Sequence, residues 1–104
     1  MALTPEAKVK KKVKEELDRM GVYHFSPMQN GMGRAGIPDI IGCLDGQFIA
    51  IECKAGKGTT TALQERELTR IQNAGGYAIV VNETNITQLK EISEWIKDKH
   101  STFF

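Results

Sequence analysis

A two-residue turn signal in the middle of the chain constrains the fold more than any other feature. Asp45-Gly46 separates two apolar runs, residues 38–44 (PDIIGCL) and residues 47–54 (QFIAIECK). A pair of this kind is a strong signal for a β-hairpin with a type I′ turn, because both turn residues must adopt positive φ. A turn of fixed length leaves a single pairing register for the two strands.

That register places two acidic residues directly opposite each other. Asp39 faces Glu52 with a Cβ separation of about 5 Å, and Lys54, two residues further on, projects from the same face. Two carboxylates among apolar side chains repel each other at a cost of roughly a few kcal/mol. A divalent cation that prefers oxygen ligands, Mg²⁺ or Mn²⁺, would offset this repulsion. A solvated salt-bridge cluster of the same three residues is equally consistent with the register.

The rest of the chain predicts an α/β fold. Apolar residues recur at helical spacing in three segments and form short strand-like runs in two others. The helices are expected at residues 5–20, 61–74 and 84–99, and the further strands at 22–28 and 77–81. Both faces of the hairpin are apolar, so the α-β-β-β-α-β-α order predicts a mixed sheet with helices on both sides. Residues 1–104 are expected to form one domain.

Composition limits the partners and the compartment. The net charge is +1, but residues 1–38 carry seven basic against four acidic side chains, which indicates a local basic patch. The chain has no apolar run of membrane-spanning length and no signal-peptide pattern, so a cytoplasmic protein without a membrane partner is expected. Cys43 and Cys53 fall on opposite faces of the hairpin, which excludes a disulfide, and no zinc-binding pattern is present.

The glycines before the hairpin match a phosphate-binding motif. Gly31, Gly33 and Gly36 spell G-x-G-x-x-G, but the dinucleotide-binding motif needs a helix that opens at its third glycine. Residues 37–44 predict a strand instead. We therefore expect no nucleotide cofactor and interpret residues 29–36 as a mobile loop beside the paired acids.

The hairpin also carries a family pattern. Pro38-Asp39, followed after twelve residues by Glu52-Cys53-Lys54, resembles the PD-(D/E)xK nuclease superfamily. A wider set of residues resembles the VRR-NUC family, especially its compact, virus-type standalone members. That set comprises RAGIPD at 34–39, FIAIECK at 48–54, Leu63-Gln64 and Ala74-Gly75-Gly76, within a similarity that spans about residues 6–83.

The resemblance implies both a fold and a reaction. The fold is a restriction-endonuclease-like α-β-β-β-α-β core, with a four-stranded mixed sheet flanked by helices. The reaction is hydrolysis of DNA phosphodiesters that depends on Mg²⁺ or Mn²⁺, in the host cytoplasm if the source is viral. Asp39 and Glu52 would be metal ligands, with the backbone carbonyl of Cys53 as a third oxygen. Lys54 would position the attacking water or stabilise developing negative charge.

Two more residues are candidates for this site, each with a structural alternative. Gln64 matches the family's glutamine on the helix after the E-x-K strand, but it is also placed to close a capping box with Thr61, and the two roles need not exclude each other. Glu6 shares the inward face of Val9 and Val13, where relatives place a glutamate near the metal. Its alternative role is to stabilise the first turn of a helix dipole.

Basic residues near the site are candidate DNA contacts. Arg34 and Lys57 fall on loops that flank it. Lys8, Lys11 and Lys12 belong to a basic run that would grip phosphates or, alternatively, form a solvated helix face.

The leading interpretation is a structure-selective endonuclease of the Holliday-junction-resolvase kind. A chain this small offers little surface to a branched DNA, so a homodimer is expected, with Trp95 and the tail Phe103-Phe104 as interface candidates. A flap- or end-processing or restriction-like repair nuclease is one alternative. A non-catalytic DNA-binding module with a structural carboxylate pair is another.

Overall fold

The computed structural model describes residues 2–28 and 34–101. The elements are α1 (Pro5–Arg19), β1 (Tyr23–Phe25), β2 (Ile40–Leu44), β3 (Gln47–Cys53), α2 (Ala62–Asn73), β4 (Tyr77–Val81) and α3 (Gln88–Ser101). Their order confirms the predicted restriction-endonuclease-like arrangement. Within the described ranges, no helix is both long and apolar enough to cross a bilayer.

The four strands form one mixed sheet in the order β1-β2-β3-β4. β1 and β3 pair with β2 in antiparallel fashion, and β3 pairs with β4 in parallel. Asp45 and Gly46 have φ of 51° and 83°, as a type I′ turn requires. The predicted register of the hairpin is confirmed as far as its last pair, Ile40 and Ile51.

Strand alternation gives the sheet two apolar faces. Helices α1 and α3 cover the face to which Ile40, Ile49 and Ile51 point, and Val13 and Ile96 of these helices are fully buried there. Helix α2 lies on the opposite face. The prediction of helices on both sides is therefore confirmed.

Three elements differ from the prediction by more than one residue at an end. Helix α3 begins at Gln88 instead of residue 84, because Asn side chains complete a turn there: Asn85 Nδ2 donates to Val80 O at 3.1 Å and Asn82 N to Asn85 Oδ1 at 2.8 Å. β2 begins two residues after Pro38, which has no N–H for the ladder. β1 has three residues where residues 22–28 were expected.

Candidate active site

Three carboxylates converge where β2 begins and β3 ends. Glu6, Asp39 and Glu52 each offer one oxygen, and these oxygens lie within 4.8 Å of one another. Asp39 immediately precedes β2, Glu52 is the last but one residue of β3, and Glu6 lies in the first turn of α1. The structure thus brings together the two predicted acids of the hairpin and the acid predicted on the first helix.

The backbone of the neighbouring strand fixes the carboxylate of Asp39. Its Oδ2 accepts a hydrogen bond from the Cys53 N–H at 2.8 Å, just beyond the last ladder pair of the hairpin. Its Oδ1 lies 3.9 Å from Lys10 Nζ. Asp39 Oδ2 is therefore held by the backbone of β3, while Oδ1 lies near the positive charge of Lys10.

Glu52 is the most deeply buried acid of the cluster, with 2% of its surface exposed. Its Oε2 accepts a hydrogen bond from Gln64 Nε2 at 3.0 Å and lies 3.3 Å from Lys54 Nζ. Burial and the charge of Asp39 raise the pKa of Glu52 to about 7, against the opposing effect of Lys54.

The second oxygen of Glu52 tests whether a metal fits. Glu52 Oε1 is buried and has no hydrogen-bond partner among the described residues. Leaving an ionised oxygen buried without a partner is costly. A divalent cation would offset this cost and the repulsion from Asp39 together, and a set of carboxylate oxygens suits Mg²⁺ or Mn²⁺. The donor set therefore fits the predicted kind of metal.

Lys54 lies among these acids as predicted. Its Nζ is 3.3 Å from Glu52 Oε2 and 3.8 Å from Glu6 Oε1, and 13% of its side chain is exposed. Lys10 supplies a second positive charge, which the sequence reasoning missed. Its position four residues after Glu6, on the same face of the helix, was the available signal.

Gln64 closes the capping box and also contacts the buried acid. Its Oε1 accepts from Thr61 N at 2.9 Å, and its backbone N donates to Thr61 Oγ1 at 3.2 Å, which completes the capping box. The amide nitrogen is left to donate to Glu52. One side chain therefore begins α2 and also holds the buried acid.

The cysteines contribute no thiolate to the cluster. Cys53 is buried, and its burial is the main cause that raises the pKa of its thiol to about 12. Cys43 is exposed, and neither residue forms a disulfide, as predicted. The role of the Cys53 carbonyl oxygen as a metal ligand stays a prediction.

The predicted DNA contacts all lie outside the acid cluster. Arg34 Nε is 2.7 Å from Glu67 Oε1. Lys57 is exposed in the loop between β3 and α2, and the three lysines predicted on α1 are exposed as well: Lys8, Lys11 and Lys12.

The glycine motif has a packing role in its described part. Gly31 and Gly33 lie outside the described residues. Gly36 has φ of 81°, and a Cβ there would lie 2.5 Å from the carbonyl carbon and oxygen of Leu63. The segment after Gly36 leads into a strand, so the helix that a dinucleotide motif requires does not follow it.

The interface candidates are only partly described. Trp95 is 53% exposed on α3, and its ring lies 6.1 Å from that of Tyr77. Phe103 and Phe104 lie outside the described residues.

Comparison with solved structures finds chains of similar fold, among them the following three. One described as "VRR_NUC domain" is 26% identical, with a TM-score of 0.73 over 86% of this chain and 97% of that chain. A "VRR_NUC domain protein" is 20% identical, with a TM-score of 0.65 over 93% and 92%. Hjc of Archaeoglobus fulgidus, described as a Holliday junction resolvase, is 22% identical, with a TM-score of 0.57 over 73% and 65%.

The first of these matches supports the family resemblance that the motif carries. It spans most of both chains, and the two matches below 25% identity support the fold alone. No protein-family model matches the sequence, and a search of curated proteins finds no match either.

Proposed function

We propose that this chain, a VRR-NUC domain in its motif and its fold, is a metal-dependent endonuclease that hydrolyses phosphodiester bonds in DNA. The observation that carries the proposal is the convergence of Glu6, Asp39 and Glu52 around Lys54 at one end of the sheet. A carboxylate as buried as that of Glu52, with the like charge of Asp39 beside it, is expensive in a merely structural role.

Each residue has a separate task in this proposal. Asp39 and Glu52 ligate Mg²⁺ or Mn²⁺ with the carbonyl of Cys53, and Glu6 adds an oxygen from the helix. When bound, the cation activates a water and neutralises charge on the scissile phosphate. Lys54 holds the attacking water or stabilises the charge that develops on the phosphate oxygens. Gln64 acts as a positioning residue, because it orients Glu52 through its hydrogen bond.

We propose branched DNA as the substrate and a homodimer as the active form. Two active sites on opposite sides of a two-fold axis would suit paired incisions at a junction. A chain of 104 residues also offers little surface to such a substrate by itself. Light scattering during gel filtration checks the oligomeric state, and a monomer at micromolar concentration would favour a flap- or end-processing nuclease instead.

A cleavage panel tests the function. Duplex, flap, Y-form and four-way-junction DNA would be incubated with the wild-type protein and Mg²⁺, Mn²⁺ or EDTA. We expect cutting with either metal, none with EDTA, and a loss of at least about a hundredfold in Lys54→Ala. The matched control is Lys90→Ala, an exposed lysine of α3.

Two results would contradict the proposal. Equal cutting by Lys54→Ala and the wild-type protein would remove the assigned role of Lys54. If the protein binds DNA but does not cut it under any metal condition, the alternative of a DNA-binding module would be favoured. Mn²⁺ titration calorimetry on the wild-type protein and on Asp39→Asn would then show whether the acids bind metal at all.

A further inference from the structure

A cavity lies beside the acid cluster. It has a volume of about 700 Å³ and lies between α2 and the sheet face formed by β2 and β3. None of the three clustered acids lines it. Its described lining includes Arg34, Pro38, Ile41, Phe48, Glu67 and Arg70. The proposed chemistry therefore leaves this cavity without a role.

The floor of the cavity is apolar and partly aromatic. Ile41, Phe48 and Ile71 line it, and Phe48 remains 45% exposed on the part of this sheet face that α2 does not cover. An exposed ring in a concave apolar site is suited to a planar ligand, because stacking removes the facing surfaces of the ring and the ligand from water.

The rim of the cavity carries two arginines held by one buried acid. Glu67 is 4% exposed; its Oε1 lies 2.7 Å from Arg34 Nε and its Oε2 lies 3.5 Å from Arg70 NH1. The two arginine side chains are 58% and 54% exposed. Glu67 thus fixes two guanidinium groups that still face solvent, where an anion can reach them.

The charge of this lining indicates the kind of ligand. Among the described lining residues Glu67 is the one acid, and both of its oxygens already face arginines. A net positive rim over an apolar, aromatic floor matches a ligand that joins a phosphate to a planar base.

We propose that this cavity binds one unpaired nucleotide of the DNA substrate, with its phosphate at Arg34 and Arg70 and its base against Phe48. This inference rests on the proposed nuclease function. Glu67 lies three residues after Gln64 on α2, about 4.5 Å further along the helix, and Pro38 directly precedes Asp39. The bound nucleotide therefore lies next to the scissile phosphate, and the preferred substrates contain an unpaired nucleotide there.

A second copy of the chain is the rival occupant of the same face. In a two-fold contact between identical linings, two net positive rims would meet and no acid of the described lining would be left to pair with them. The charge therefore favours a nucleotide, and self-association becomes an outcome that the test must distinguish.

Binding measurements on uncut DNA test the site. The Asp39→Asn protein would be titrated into a matched duplex and into the same duplex with one unpaired 2-aminopurine, followed by anisotropy and 2-aminopurine fluorescence. We expect tighter binding to the second DNA, with quenching of its fluorescence. Adding Phe48→Ala should weaken that binding about tenfold and abolish the quenching, with little effect on the duplex.

The arginines make a separate prediction. Arg70→Gln should weaken binding to both DNAs and reduce the slope of log affinity against log salt by about one. The control variants are Arg66→Gln, an exposed arginine of α2, and Tyr23→Ala, an exposed aromatic on the same sheet face; neither residue lines the cavity. If Phe48→Ala fails to fold, Phe48→Leu keeps an apolar side chain but removes the ring.

The possible outcomes distinguish a failure of the nucleotide site from a failure of the proposed nuclease function. Equal losses in Phe48→Ala and Tyr23→Ala would overturn the nucleotide site, as would a Phe48 variant that changes only the monomer–dimer equilibrium. Wild-type protein that cuts matched and unpaired DNA equally, while Lys54→Ala is inactive, would overturn the site and leave the nuclease function standing. If the wild-type protein cuts none of these DNAs, the result would instead count against the proposed nuclease function.

Discussion

Gln64 and Glu52 are joined by a hydrogen bond of 3.0 Å that links the start of α2 to the buried acid of β3. The same glutamine closes the capping box with Thr61 through its other amide atom. The beginning of the helix and the orientation of the acid are therefore set by one side chain.

Replacing Gln64 should separate a loss of stability from a loss of activity. Thr61→Ala removes the cap and leaves the bond to Glu52, so we expect a loss of about 1 kcal/mol in unfolding free energy and near-wild-type cutting. Gln64→Leu removes the bonds of the side chain to Glu52 and to the Thr61 N–H, while the cap from the Gln64 backbone N–H to Thr61 Oγ1 stays. We expect a similar loss of stability with cutting reduced roughly 10- to 100-fold. Denaturant melts and cleavage rates at saturating metal measure the two effects. Equal activity in the two variants would show that the bond to Glu52 does not matter.

The burial of Glu52 predicts an unusual pH dependence without metal. Its pKa is raised from 4.5 to about 7 in the fold, so between these values the native state holds a proton that the unfolded chain has lost. Stability from this group is therefore present at low pH and is lost as pH rises through about 7. The loss is of the order of 2 to 3 kcal/mol.

Melts in EDTA between pH 5 and pH 8 measure this effect, with Glu52→Gln as the control. The variant should lack this component and exceed the wild-type protein in stability at pH 8. Adding Mn²⁺ at pH 8 should stabilise the wild-type protein and not the variant. If the two proteins show the same pH profile in EDTA, the raised pKa is wrong.

Much of this site follows from one local rule. A two-residue turn at Asp45-Gly46 allows one register. Counting residues back from the turn on both strands therefore predicts that Asp39 and Glu52 lie close together. Lys54 follows by strand alternation. The capping-box pattern likewise predicted the start of α2, because both of its hydrogen bonds are local.

The contacts that the sequence did not predict are those between distant elements. Periodicity places Glu67 on α2 but carries no sign that Arg34 binds it, since that contact depends on how the segment before Pro38 packs on the helix. Helical spacing places Lys10 on the face of Glu6, but it does not predict the ion pair with Asp39, which lies in a distant part of the chain. The start of α3 was misplaced because the hydrogen bonds of Asn82 and Asn85 outweighed a helical pattern of apolar residues.

The acid on α1 predicts a graded effect on metal binding. Glu6 brings an oxygen to the cluster, but its side chain is 52% exposed. Replacing it removes one of three carboxylates from the metal site and leaves the two less exposed ones. We expect Glu6→Gln to weaken Mn²⁺ binding about tenfold, equivalent to about 1.4 kcal/mol. Glu15→Gln, an exposed acid of the same helix, should bind Mn²⁺ like the wild-type protein. Calorimetry compares the two, and equal affinities would remove Glu6 from the site.

The close approach of Gly36 to α2 predicts a strong effect of a single methyl group. Gly36 and Gly56 both have positive φ, 81° and 56°, but a Cβ would collide with the backbone of Leu63 at Gly36 and meet nothing within 4 Å at Gly56. Gly56→Ala should therefore cost about 1 kcal/mol, from the backbone conformation alone. Gly36→Ala adds the displacement of the segment that leads to Asp39, so we expect a loss of about 3 kcal/mol or more together with weaker Mn²⁺ binding. Denaturant melts and calorimetry measure both properties, and equal stability of the two variants would show that this segment does not pack on α2 as described.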